Sequence, residues 1–178
     1  MSFSTDRLLV LKNEENLFDS ELIPPVHDIP IGLLVRPLRQ SDYDSGFLQL
    51  LEQLTTVGDV SNEQFIDRFN SMKSTGSYFV VVIEDEELHH VIGAATLVVE
   101  EKFIHKTGTR GRVEDVVVDK MWRGMKLGAV LNKVLVELAK NLKVYKLSLE
   151  CKENLIPFYA RFGYQEDVKF MVQRFDKH

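Results

Sequence analysis

The spacing of apolar and polar positions divides this chain into a series of short elements. Residues 1–30 mix acids with Pro24, Pro25 and Pro30 and hold no sustained period, which predicts an N-terminal extension or arm rather than a separate domain. The apolar run over 31–38 predicts a strand, after which Ser41 or Asp42 is placed to cap a helix carrying Phe47, Leu50, Leu51 and Leu54. Ser61 and Gln64 have capping-box spacing, and Phe65, Ile66 and Phe69 give the buried side of a second helix. Two runs rich in β-branched residues, 78–83 and 91–99, flank the acidic stretch Glu84-Asp85-Glu86-Glu87 and predict an antiparallel hairpin.

A strand over 112–118 follows, and a glycine-containing loop then opens into an amphipathic helix. Leu127, Val130, Leu131, Val134, Leu135 and Leu138 recur at helical spacing, with Asn132, Lys133, Glu137 and Lys140 assigned to the opposite side. A strand over 144–149, a short helix over 157–162 and a final strand over 164–175 complete the order, which is that of a mixed sheet with a parallel pair. The loop before the long helix suits an anion, because backbone N–H groups and the helix end converge there. A plain strand-to-helix turn would look similar.

Composition narrows the class. At 178 residues and 44% hydrophobic content, the chain suits one compact domain with a sizeable core. The net charge of −5 argues against a general nucleic-acid binder, while Arg110, Arg112, Lys120, Arg123, Lys126 and Lys133 form a local cationic rim suited to a phosphorylated ligand. Cys151 stands alone, so no intrachain disulfide is expected, a reducing cytosolic compartment fits, and a buried small side chain is the expectation over a nucleophile. His89-His90 lacks zinc-site spacing, so no metal is expected. The run from Leu8 to Leu11 is too short for a signal segment and no stretch has membrane-spanning length; the chain reads as soluble and cytoplasmic, with peripheral attachment to an organelle left open.

The stretch Arg123-Gly124-Met125-Lys126-Leu127-Gly128 resembles the acetyl-coenzyme A loop of the GNAT superfamily of N-acetyltransferases, written Arg/Gln-x-x-Gly-x-Gly/Ala, with Lys126 where the middle glycine is usual. Leu54-Thr55-Thr56-Val57-Gly58, Lys102-Phe103-Ile104-His105, Glu114-Asp115, Tyr145-Lys146, Phe158-Tyr159 with Phe162-Gly163-Tyr164, and Arg174 stand in the order seen in the glucosamine-6-phosphate N-acetyltransferases of that superfamily. The resemblance runs from 34 to 175. It implies an α/β (α+β mixed) acyl-CoA N-acyltransferase fold over 31–178: a mixed central β-sheet with flanking helices and a parallel strand pair splayed around acetyl-CoA. Further implications are transfer of acetyl from acetyl-CoA to the 2-amino group of glucosamine 6-phosphate, a step toward UDP-N-acetylglucosamine, and a homodimer with shared active sites.

For individual residues, the resemblance assigns acetyl-CoA contacts to Val116, Val117, Val118, Arg123, Gly124, Met125, Lys126, Leu127 and Gly128, and to the main chain of Glu150. It assigns the sugar phosphate to Thr55, Lys102, Phe103, Ile104, His105, Glu114, Asp115, Val116, Tyr145, Lys146 and Arg174. Acetyl transfer needs a neutral amine, a donor for the developing oxyanion and a proton for the departing thiolate. Glu114 and Asp115 are the candidates at the amine, Val116 N–H at the oxyanion and Tyr159 at the thiolate. Neighbouring side chains on a strand face opposite ways, so both carboxylates serve one site only if a bulge intervenes. Tyr159 also has a second reading, as one of an aromatic core group with Phe158, Phe162 and Tyr164. Asn154 stands one place before the family's usual asparagine, where this chain has Leu155, which bears on the local turn. Rival activities are transfer to another amine, such as a polyamine or a protein N-terminus, and silent acyl-CoA binding by a regulator.

Overall fold

The computed structural model describes residues 15–175, so the apolar run at 8–11 lies outside the described part. Its centre is a five-stranded sheet in the order β1-β2-β3-β4-β5. The strands are β1 (Leu33–Pro37), β2 (Tyr78–Asp85), β3 (His90–Glu101), β4 (Thr109–Val118) and β5 (Val144–Leu149). The first four pair antiparallel in sequence order, and β4 pairs with β5 in parallel. Helix α1 (Phe47–Glu52) and helix α2 (Asn62–Thr75) supply Phe47, Leu50, Phe65 and Phe69 to a core shared with Val80, Val82, Ala94 and Val117. Helix α3 (Leu127–Asn141) joins Val81, Ile83, Leu97 and Val113 in a second core cluster. The short helix α4 (Ile156–Ala160) follows β5.

Local sequence explains most of these boundaries. Ser61 Oγ accepts from Gln64 N at 3.2 Å while Gln64 Oε1 accepts from Ser61 N at 2.8 Å, so the expected capping box starts α2. Neither Ser41 nor Asp42 caps α1. Residues Gln40–Tyr43 form a separate turn, and Gly46, at φ 84°, provides the left-handed entry to α1. Asp42 instead accepts both terminal nitrogens of Arg36, at 2.8 and 2.7 Å, and Arg39 N at 2.7 Å. The expected acidic turn also moves: Glu84 and Asp85 belong to β2, where Glu84 Oε2 accepts from Arg36 Nε at 2.6 Å. A buried arginine needs anions, and that need drew Asp42 and Glu84 off the surface.

Three further expectations are overturned. Residues 164–175 form no strand; the sheet ends at β5, and Val168, Phe170, Met171, Val172 and Phe175 stay exposed, because alternation becomes a strand only beside a ladder partner. Asn132 is fully buried rather than on a wet face. Cys151 lies past the end of β5 and is exposed, not buried. The arm also contributes to the core: Leu17 is buried, Leu17 N donates to Leu38 O at 2.8 Å, and Phe18, Leu22, Ile23, Val26 and Ile29 pack against the α3 cluster.

Candidate active site

The parallel pair opens where the carboxylates stand. The β4–β5 ladder ends at Val113↔Leu149, while β4 continues to Val118, so the two strands part from Glu114 onward. On the other side of β4 the register with β3 jumps from Thr96↔Glu114 to Ala94↔Val117, leaving Asp115 and Val116 opposite Ala95 alone. This is a β-bulge, and Asp115 sits in it at φ 52°. A non-glycine residue held there is strained, the kind of strain that collects at working sites. The bulge breaks strict alternation, so Glu114 and Asp115 need not face opposite sides.

The two carboxylates differ in surroundings. Glu114 Oε1 lies 2.7 Å from Arg112 Nη2, and the same nitrogen lies 2.6 Å from Glu150 Oε1 beyond β5. Asp115 keeps solvent contact, yet partial burial raises its carboxyl above the usual range and strengthens it as a base. Tyr159 is 8% exposed and stands edge-on to Phe158 at 4.9 Å and to Tyr164 at 5.9 Å. Burial first, and then the nearby Cys151, raise its phenol, which keeps the proton in place at neutral pH. The Tyr164 hydroxyl is buried without a partner among the described residues, and burial pushes it higher still.

The loop between β4 and α3 begins at Asp119, whose Oδ1 accepts from Met121 N at 2.7 Å and whose Oδ2 accepts from Gln53 Nε2 at 2.6 Å. Gln53 Oε1 in turn accepts from Lys120 N at 2.9 Å, tying the end of α1 to this loop. Gly124 has φ 87° and Lys126 has φ 62°, ψ 15° as the cap of α3. The Lys126 carbonyl takes Ala129 N and Val130 N, so the N–H groups of Leu127 and Gly128 lead the helix as outward donors. Gly128 itself lies in regular helix, and an added Cβ would meet only Phe158 and Val118, each at 3.9 Å. Left-handed freedom is therefore used at Gly124 and Lys126, and not at Gly128. These donors and the parted strands fit a diphosphate with a long acyl-carrying arm.

A family model described as the acetyltransferase (GNAT) family matches residues 45–164. The chain belongs to the GNAT acetyltransferase family. A Drosophila melanogaster relative, named a probable glucosamine 6-phosphate N-acetyltransferase, is 55% identical over 130 residues, which span 73% of this chain and 59% of that protein. The glucosamine 6-phosphate N-acetyltransferase of Candida albicans is 35% identical over 147 residues, covering 83% of this chain and 99% of that protein. The crystal structure of glucosamine-6-phosphate N-acetyltransferase from Arabidopsis thaliana matches with a TM-score of 0.79 at 34% identity, over 81% of this chain and 99% of that one. The mixed sheet with its splayed parallel pair is thus the GNAT fold.

Of the residues expected at the acceptor site in this GNAT chain, His105 and Tyr145 are in direct contact. The loop from β3 to β4 holds His105, Lys106 and Thr107 at φ 52°, 57° and 58°, and the His105 ring stacks on Tyr145 at 4.3 Å. Phe103 and Ile104 are exposed on that loop, Lys102 pairs with Glu100, and Lys146 reaches Asp167 at 3.5 Å. Thr55 follows α1, bonded through its N–H to Leu51 O at 3.1 Å. Arg174, on the exposed tail, has no hydrogen bond or ion pair among the described residues. The expected cationic rim is partly neutralised: Arg112 is held by two glutamates and Lys133 pairs with Asp28 at 3.2 Å. Sequence reading missed Gln53 as a tie between the Thr55 segment and the cofactor loop; only its distance of 66 residues from Asp119 hid a polar side chain with two matched partners.

Proposed function

We propose that this chain acetylates the 2-amino group of D-glucosamine 6-phosphate with acetyl-CoA, by direct attack within a ternary complex. The observation that carries the reading is the bulge at Asp115, which sets two carboxylates beside the parted strands of a GNAT sheet. Similarity to proteins named for that activity supports the choice of amine. Because the chain spans 59% of the Drosophila relative's length, the activity of the whole protein is part of the proposal.

Each residue then has a task. The N–H groups of Leu127 and Gly128, with those of Gly124, Met125 and Lys126 and the Arg123 side chain, hold the diphosphate at the head of α3. Val116, Val117 and Val118 lend their backbone to the pantetheine arm along the open edge of β4, and the Glu150 main chain borders the arm from the β5 side. Glu114 anchors the substrate ammonium, and Asp115, whose carboxyl partial burial raises above its usual range, takes the proton and frees the lone pair for attack on the thioester carbon. The bulged Val116 N–H donates to the carbonyl oxygen as charge builds there. Tyr159 gives its proton to the departing thiolate. From ammonium to amide the nitrogen gains an acyl group and loses two protons, one to Asp115 before attack and one after it. Sulfur gains one from Tyr159, the net proton passes to solvent, and no covalent enzyme species is needed.

The sugar sits against Thr55, Lys102, Phe103, Ile104, His105 and Tyr145, with its phosphate on Lys146 and Arg174. Arg174 comes from a second copy: the apolar tail at 168–175 is exposed among the described residues, and a partner's sheet edge would pair it and complete a shared site. Among the described residues no helix is long and apolar enough to cross a membrane. Work in the cytoplasm, with reversible attachment to organelle surfaces, fits the lone cysteine and this lack of a span. A thiol-release assay across glucosamine 6-phosphate, glucosamine, spermidine and a peptide amine tests the reading. Turnover is expected with the sugar phosphate far above the rest; equal or greater turnover with spermidine or the peptide would overturn it.

A further inference from the structure

The contact between Arg112 and the two glutamates has no part in the scheme above, yet it lies where β4 and β5 separate. Arg112 is the last charged residue on its strand face before the fork, opposite Ser148 on β5 and one row before Glu114. Its Nη2 reaches Glu114 Oε1 at 2.7 Å and Glu150 Oε1 at 2.6 Å, so one nitrogen joins the strand that carries the acceptor carboxylate to the residue that ends the other strand. Without it, two like charges on diverging strands would repel and turn outward to water. With it, the cluster holds two negative charges and one positive charge, a net of one negative charge where a protonated amine must arrive.

We propose that Arg112 is the positioning residue of the acceptor site, aiming Glu114 at the substrate ammonium and fixing the Glu150 end of β5 across the fork. The proposal rests on the reading of the amine substrate given above. All three side chains are partly exposed, so the tie adds little to global stability; its effect lies in orientation. A carboxylate free to rotate would still attract the ammonium but would spend much of its time aimed elsewhere, and reactivity depends on that aim. Because the hydrogen bond to Glu150 and the ion pair with Glu114 are made by a single nitrogen, a lysine ammonium can make the same pair of contacts, unlike a site that needs the arginine fork.

The test is a double-mutant cycle on turnover with glucosamine 6-phosphate and acetyl-CoA in the full chain. Arg112→Met should lower kcat/KM for the sugar about tenfold to hundredfold, the range for losing a charge-assisted hydrogen bond. Affinity for acetyl-CoA by calorimetry should stay within about twofold of the parent, because Arg112 holds the side chain of Glu150 while the arm is bordered by that residue's main chain, which β5 carries into place. Arg112→Lys should recover most of the loss. In a Glu114→Gln background, Arg112→Met should add less than about threefold, because the residue acts through Glu114. Glu150→Gln, which leaves Arg112 in place, gives a milder loss of the same kind and serves if Arg112→Met folds poorly. Full additivity in the Glu114→Gln background, or equal damage to acetyl-CoA binding, would overturn the proposal while an active parent keeps the functional reading intact. A parent inert toward the sugar phosphate overturns both.

Discussion

Lys126 occupies the left-handed cap of α3, and Lys126→Gly should therefore raise stability while weakening the cofactor. For an L-residue the left-handed helical conformation costs about 1–2 kcal/mol, which glycine does not incur. Lys126 has no side-chain capping bond that would offset this. Glycine also loosens the unfolded chain by about 0.4–1 kcal/mol, so the net gain is about 0.5–1 kcal/mol. In a protein of this size that amounts to an increase in Tm of about 1–4 °C. Against it stands the loss of one cation beside the diphosphate, worth about 0.2–1 kcal/mol at an exposed site, or up to about fivefold in Kd. Thermal unfolding in the absence of nucleotide gives the first quantity, and calorimetric titration with CoA at low and high salt gives the second. A Tm that falls would refute the argument from backbone strain. A Kd that is unchanged at low salt would show that Lys126 contributes no charge to the loop.

Tyr159→Phe removes only the hydroxyl and keeps the ring contacts with Phe158 and Tyr164; turnover should fall about 10²- to 10⁴-fold at near-parent Tm, with partial recovery on a donor whose thiol leaves more readily. Near-parent turnover would leave Tyr159 as core packing alone. Arg174→Ala should raise the sugar-phosphate KM about tenfold to hundredfold and leave that for acetyl-CoA in place, and mixing it with inactive Glu114→Ala chains should restore some activity through exchanged subunits. Unchanged kinetics would make Arg174 an ordinary tail residue. Asn132→Ala removes a fully buried amide whose two polar atoms lack partners, a gain of about 1–3 kcal/mol that outweighs the small cavity left; a lower Tm in unfolding scans would show that the amide is satisfied in solution. Glu84→Gln tests linkage: burial alone would raise Glu84, but the Arg36 hydrogen bond and charge, with help from His89 and Arg39, bring it below 4.5. Its depressed pKa contributes stability that is full above pH 4.5 and lost as pH falls through the lower value, so the Tm gap between parent and variant should close under acid. A gap that widens there would reverse the assignment.

The elements that the chain declares locally were readable, and those set by distant partners were not. Ser61 and Gln64 need only each other, so the start of α2 was plain from their spacing. The bulge was legible too, because two adjacent carboxylates needed near one amine conflict with strand alternation. Asn132 misled because a helical wheel assumes one covered face. Around α3 the arm residues Leu22, Ile23, Val26 and Ile29 join the same cluster, and Phe158 of α4 comes close to Gly128, so the burial arc is wide enough to enclose the amide. Glu84 looked like a turn acid because Arg36 is 48 residues away. The left-handed cap at Lys126 carries no mark in its side chain; only the family's usual glycine at that place hinted at it.

The change of register in β4 also constrains heredity. Val113 belongs to the core under α3, whereas Val117 belongs to the core under α1 and α2, so the strand exchanges faces between them. The bulge absorbs the extra residue, and both faces are correctly filled. Deleting Val116 would restore a regular ladder in which Glu114 stays opposite Thr96 and Val117 opposite Ala94, so both cores keep their residues while the bulge is lost. A loss of one residue here is therefore a change that the fold can carry and the site cannot, because adjacent carboxylates on a regular strand return to opposite faces. Descendants of this gene that keep the bulge can explore new acceptor amines through the identity of these side chains, whereas those that lose it keep only the scaffold.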